Sequence, residues 1–171
     1  MRERRRAIIT APASVRSVGE AVMAADRLLE TAKAQADAQV AERNAREKAE
    51  LLRQLGMDEG ESATKASRTM IRQLEEDQKR RSKRALTDAI DRALIDLLAI
   101  YRDVLMVQVG GDGELINTDL SDLVHQIAQD STPRQTLARV DHIETARKRL
   151  VSNGNPLLVL EDMAISLRPQ A

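Results

Sequence analysis

The chain has 171 residues, and Lys+Arg and Asp+Glu balance at 27 each, so a formal net charge of zero gives no global pull toward nucleic acid or membrane. Phe, Trp and Cys are absent and Tyr101 is the only aromatic residue, which excludes disulfides and thiolate chemistry and fits a reducing compartment. A core without rings must be filled by Leu, Ile, Val, Met and Ala, which suits closely packed helices and suits a β-sandwich poorly.

Residues 2–10, RERRRAIIT, read as the last turns of a helix that begins before Met1. Ala11-Pro12-Ala13 then breaks it, because proline disfavours a helical residue before it. Residues 1–13 are therefore expected to be the tail of a preceding domain. The basic start lacks the apolar run of a signal peptide, and nothing approaches the roughly 20 apolar residues of a membrane span. A soluble, cytoplasmic protein is expected.

Ser14 or Ser17 can cap the next helix, and Ser17-Val18-Gly19-Glu20 has capping-box spacing. Val15, Val18, Val22, Leu28, Leu29 and Ala32 form its apolar stripe with Ala21 and Ala25. From about residue 33 to 50 the stripe thins to Ala36, Val40 and isolated alanines among charges. Leu51, Leu52 and Leu55 close the segment, and Gly56 to Ser62 reads as a loop with an acidic tip at Asp58, Glu59 and Glu61.

A second long helix is predicted from about Thr64 to Val109. Met70, Ile71 and Leu74 share a face, and 75–84 is almost wholly polar. Leu86, Ile90, Ala93, Leu94, Leu97, Leu98, Tyr101 and Leu105 then make a strong apolar stripe. The two long helices are mirror images in polarity, each greasy at the end far from the loop. An antiparallel pair satisfies this, with 33–84 projecting as a helical hairpin from a domain spanning 14–168. An arm of about 20 residues would reach ~30 Å at ~1.5 Å per residue.

Gly110-Gly111-Asp112-Gly113 ends that helix, and Thr118 or Asp119 is expected to cap a short one carrying Leu120, Leu123, Val124 and Ile127. Ser131 or Thr132, with Pro133, caps the next, whose apolar face is expected to be Leu137, Val140, Ile143, Ala146, Leu150 and Val151. Asn153 and Gly154 favour the left-handed turn that stops it, Asn155 caps the last helix and Pro156 takes its first position. Leu157, Leu158, Leu160, Met163, Ile165 and Leu167 are expected to bury that helix.

The stretch from Asp91 through Tyr101-Arg102-Asp103-Val104-Leu105, a glycine-rich loop, short helices and then Ala146 to Glu161 resembles a known family. It is similar to the C-terminal collar domain of bacterial clamp-loader subunits. The Ser152-Asn153-Gly154-Asn155-Pro156 turn before a leucine-rich helix is its most specific element. The charged helical insertion before it resembles the delta-prime type of actinobacterial DNA polymerase III, and residues 2–14 then match the passage from an ATPase-like lid into the collar. The resemblance implies an all-α bundle that packs against other clamp-loader subunits in a hetero-pentamer, to place a sliding clamp on primed DNA during replication. The family's nucleotide and zinc motifs lie in an N-terminal part that this chain lacks: there is no GxxxxGK[ST] and no cysteine. No enzyme activity, cofactor, metal or small-molecule substrate is therefore expected of this chain.

The candidate subunit-interface residues are Asn153, Asn155, Pro156, Leu157, Leu160 and Met163. The basic run Lys79, Arg80, Arg81, Lys83 and Arg84 is a candidate DNA or partner contact, although Glu75, Glu76 and Asp77 precede it and no aromatic is near for base stacking. The bland reading of that run is a solvated helix face. His125 and His142 lack the i, i+4 ligand pairing of a helical metal site and are expected to be ordinary histidines. The alternative to a collar is a coiled-coil adaptor that binds a partner helix through the hairpin.

Overall fold

The structure, a computed structural model, describes residue 15 and residues 17–56, 64–111 and 113–168. The expected tail at 1–13 and the acidic tip at Asp58, Glu59 and Glu61 lie outside the described residues. Among the described residues two long helices come first, α1 (Val18–Gln54) and α2 (Lys65–Gln108). A single 3-10 turn (Thr118–Leu120) leads into α3 (Ser121–Gln129), α4 (Pro133–Val151) and α5 (Pro156–Ser166). Among the described residues there is no strand, so the all-α expectation is borne out. Among them, too, no helix is long and apolar enough to cross a membrane.

Local chemistry sets the helix ends. Ser17 Oγ accepts the Glu20 N–H at 3.1 Å and starts α1. Gly56 ends it with φ 62°. Thr64 Oγ1 accepts the Ser67 N–H at 3.2 Å and starts α2. Its end is a Schellman turn: Gly110 has φ 67°, and the Gly111 N–H returns to the Met106 carbonyl at 3.0 Å. Thr132 caps α4 in a reciprocal capping box with Gln135, with Pro133 behind it.

The chain divides into two compact units. One runs through Thr31 and resumes at Ile90; the other is Ala32–Ala89. The first contains most of the buried apolar residues. Ala21 and Leu28 of α1, Leu94 and Leu97 of α2, Val124 of α3, Ile143 of α4 and Leu160 of α5 are all buried. The second has a much smaller apolar cluster of Ala36, Val40 and Ala85, with Leu86 packed on it.

Three sequence expectations are corrected here. Thr118 and Asp119 do not cap α3; they lie inside the 3-10 turn, and the residue before α3 makes no side-chain cap. The buried face of α4 is rotated: Leu137 and Val151 are 51% and 76% exposed, while Thr136 and Arg139 are buried with Ile143, Ala146 and Leu150. Periodicity weighs only the apolar residues, and here two polar side chains have partners in the interior, Thr136 in Gln108 and Arg139 in the Tyr101 ring. Finally, Val18 and Leu158 point outward rather than into the core.

Candidate subunit-assembly surface

The turn between α4 and α5 is built as its sequence dictates. Asn153 takes the left-handed conformation with φ 63°, and its N–H reaches the Leu150 carbonyl at 3.1 Å. The Gly154 N–H reaches the Arg149 carbonyl at 2.8 Å. Gly154 is required by space rather than by φ: a Cβ there would stand 2.8 Å from the Arg149 carbonyl oxygen. Asn155 Oδ1 then accepts the Leu157 and Leu158 N–H groups at 3.0 and 3.4 Å, and Pro156 occupies the first turn. An Arg149–Asp162 ion pair joins the two helices across the turn.

Of the six interface candidates, Asn153 and Asn155 are exposed, and Pro156 and Leu157 are half-buried. Leu160 and Met163 are not on the surface at all; they are 0% and 3% exposed, because α5 turns that side inward against its own bundle. The apolar groups that do face outward beside the turn are Val151 and Leu158. Their exposure was not legible from periodicity, since both sit next to residues of the buried stripe.

Three polar side chains hold this unit in register. Asp103, fully buried, accepts the Asn117 N–H and Nδ2–H, each at 2.8 Å, the Ile116 N–H at 3.1 Å and Arg102 NH1 at 2.8 Å. Burial alone would push its carboxyl up, but the donors from Asn117, Ile116 and Arg102 outweigh it and hold the group below its ordinary value. The Asn117 side chain, which bonds Asp103, makes no cap for the 3-10 turn that follows it. Gln108, the last residue of α2, donates to the Ser131 carbonyl at 2.7 Å and the Ala128 carbonyl at 3.3 Å, and accepts the Thr136 hydroxyl at 2.9 Å. It thereby clamps the end of α3 to the start of α4. Arg147 ties α4 to α2 through Asp91 at 2.7 and 3.3 Å. Sequence reasoning missed Asp103 and Gln108 as anchors; the one available signal was polar residues, the Arg102-Asp103 pair and the lone Gln108, inside an otherwise apolar run.

The basic run lies in the other unit, on α2, and its members differ. Arg81 faces α1: its guanidinium donates to both Glu47 carboxylate oxygens at 2.8 and 3.0 Å and to Asn44 Oδ1 at 2.7 Å. Gln78 donates to the Asn44 carbonyl at 2.9 Å beside it. Arg81 and Arg43 together hold the Glu47 carboxyl down at about 2. Arg81 is therefore a cross-helix staple. Arg80 pairs with Asp77 on its own helix. Lys79, Lys83 and Arg84 are exposed, and the first two, with Lys33, rim an open groove floored by Ala36 and Leu86.

His125 and His142 are both exposed, and the ring of His125 bonds the Ser121 carbonyl at 2.7 Å. Among the described residues no group of three or more His, Asp or Glu is placed to hold a metal ion.

An all-α unit ending in this tightly specified turn is the context the collar resemblance requires. The family described as DNA polymerase III, delta subunit, C terminal matches residues 63–168. The chain belongs to that family. A delta-prime subunit of DNA polymerase III from Bacillus subtilis is 38% identical over 72 residues, which cover 42% of this chain and 22% of that protein. The matched region thus spans about a fifth of that relative. No solved structure matches. Both matches bear out the resemblance to a delta-prime C-terminal domain seen in the stretch from Asp91 to Glu161, and they do not favour the adaptor reading.

Proposed function

We propose that this chain is the collar domain of a DNA polymerase III delta-prime subunit and holds that subunit to its sister subunits in the clamp loader. The family match over 63–168 carries this reading, because it falls on α2 to α5, which supply much of the apolar core and the whole α4–α5 turn. The mechanism is packing rather than chemistry. The fixed turn presents Val151 and Leu158 at defined positions, and a specific interface of about 800 Å² per partner needs such apolar anchors set in a polar rim. Asn153, Asn155, Pro156 and Leu157 are the surface members of the anchor region. The complex would be a hetero-pentamer that loads the sliding clamp on primed DNA in the cytoplasm. Within it, 33–84 acts as a helical hairpin insertion, and residues 1–13 lead in from the lid of the ATPase-like part.

The exposed Lys79, Lys83 and Arg84, with Arg80, are proposed as a DNA or partner contact of that hairpin. Arg81 contributes indirectly, by holding the two helices together. The test of the main reading is reconstitution of the full-length subunit with its clamp-loader partners. Co-elution as a stoichiometric complex, lost in a Val151→Asp, Leu158→Asp double variant that remains folded, is the expected result. A self-contained dimer through residues 30–85, with no capture of sister subunits, would overturn it.

A further inference from the structure

The core-facing stripe of α4 carries a charge near its centre. Its buried residues are Thr136, Arg139, Ile143, Ala146 and Leu150, a spacing that lines one helix face. Arg139 is 7% exposed, as deep in the stripe as Leu150 at 6%. Its guanidinium carbon stands 5.9 Å from the centre of the Tyr101 ring, and Tyr101 is itself 3% exposed. Among the described residues, no hydrogen bond or ion pair reaches this guanidinium. Yet none of their side-chain polar atoms is both sealed from solvent and unpartnered. The unpartnered Arg139 nitrogens therefore retain some contact with solvent although the residue as a whole is 7% exposed.

A guanidinium offers five N–H donors in a rigid plane and does not lose its proton. At 5.9 Å from its centre the ring face attracts the cation. Holding such an ion largely out of water without a counter-charge is unfavourable. The free edge of the fork is shaped for a planar anion with two oxygens. The same chain makes that pairing at Arg147 with Asp91 and at Arg81 with Glu47. A nucleic-acid backbone would instead require a row of exposed cations, and one sunken guanidinium does not provide that.

We propose that Arg139, backed by Tyr101, is the receptor for a carboxylate side chain supplied by a neighbouring clamp-loader subunit. It is an ionic anchor complementing the apolar contacts, and it rests on the assembly reading above. The receiving surface is small and selective: it accepts one Asp or Glu and leaves a neutral or basic residue at that position unpaired against a buried cation.

Full-length subunits carrying Arg139→Met or Arg139→Lys test this, with affinity for the partner subunits measured at low and high salt and thermal stability measured on the subunit alone. Arg139→Met is expected to weaken assembly about thirtyfold or more and to flatten its salt dependence. The melting temperature of the lone subunit should stay unchanged or rise, because an unpaired buried charge has been removed. Arg139→Lys keeps the charge without the fork and should show an intermediate loss; it also covers the case in which the Met variant does not fold. Unchanged affinity and salt slope in a folded variant would overturn the anchor while leaving the assembly reading intact. Failure of the wild-type subunit to assemble would overturn both.

Discussion

The Ala32–Ala89 unit and the unit built from residues through Thr31 with Ile90 onward contain the same two helices, yet different forces hold them. In the larger unit, α1 and α2 bury wide apolar faces, with Ile90, Leu94 and Val104 wholly inaccessible. In the smaller one, burial shrinks to Ala36, Val40 and Ala85, and contact between the helices depends on Arg81, Glu47, Asn44 and Gln78. Helix propensity from Ala, Glu, Arg, Lys and Gln keeps the rods intact there, assisted by i, i+4 pairs such as Arg43–Glu47 and Arg72–Glu76. Uniform secondary structure thus conceals an uneven distribution of stabilising energy, and the two units should respond differently to the same insults.

The sharpest separation should come from core truncation. Leu160→Ala is expected to destabilise the larger unit by about 2–5 kcal/mol in chemical denaturation, and Val40→Ala the smaller by about 1–2 kcal/mol. Equal losses would erase the contrast. Next comes Asp103→Ala, which leaves the buried Asn117 amide without its acceptor and should cost about 3 kcal/mol. Because the Asp103 carboxyl is held below its ordinary value in the fold, its contribution is present above that ordinary value and is lost as pH falls from it through the lowered value of the fold. A denaturation midpoint in Asp103→Asn that tracks pH as steeply as wild type would contradict this.

A smaller effect is predicted for Asn155→Ala, about 1 kcal/mol from the lost cap, with Asn155→Asp or Asn155→Ser recovering most of it. The smallest belongs to the half-exposed staple. Arg81→Ala should cost under about 1 kcal/mol and less in high salt. Its pH signature is specific: Glu47 titrates at about 2 in the fold, so the unfolded chain takes up its proton first as pH drops below about 4.5. Stability from this contact falls across that window and is gone below it. Carboxyl NMR of Glu47 in wild type and Arg81→Ala checks the assignment; a Glu47 value that does not rise in the variant would remove the staple.

Much of this was readable from residue order. Helix starts at Ser17, Thr132 and Asn155 and stops at Gly56, Gly110 and Asn153 follow from side-chain oxygens placed to accept backbone N–H groups and from residues that tolerate positive φ. Such signals act within five residues, so one sequence contains both partners. The collar resemblance was legible for the same reason, since its most specific element is that local turn.

What residue order could not supply is which way a side chain faces once helices from distant parts of the chain meet. Leu160 and Met163 were expected at an interface and lie inside; Leu137, Val151 and Leu158 were expected inside and lie outside. Nothing in the sequence marks Arg139 as buried beside the Tyr101 ring, far back in the chain, or Asp103 as buried beside the Asn117 amide. Propensity and capping are local interactions, which the chain specifies by itself. Burial and the partnering of charges depend on the whole tertiary arrangement, and only the folded bundle decides them.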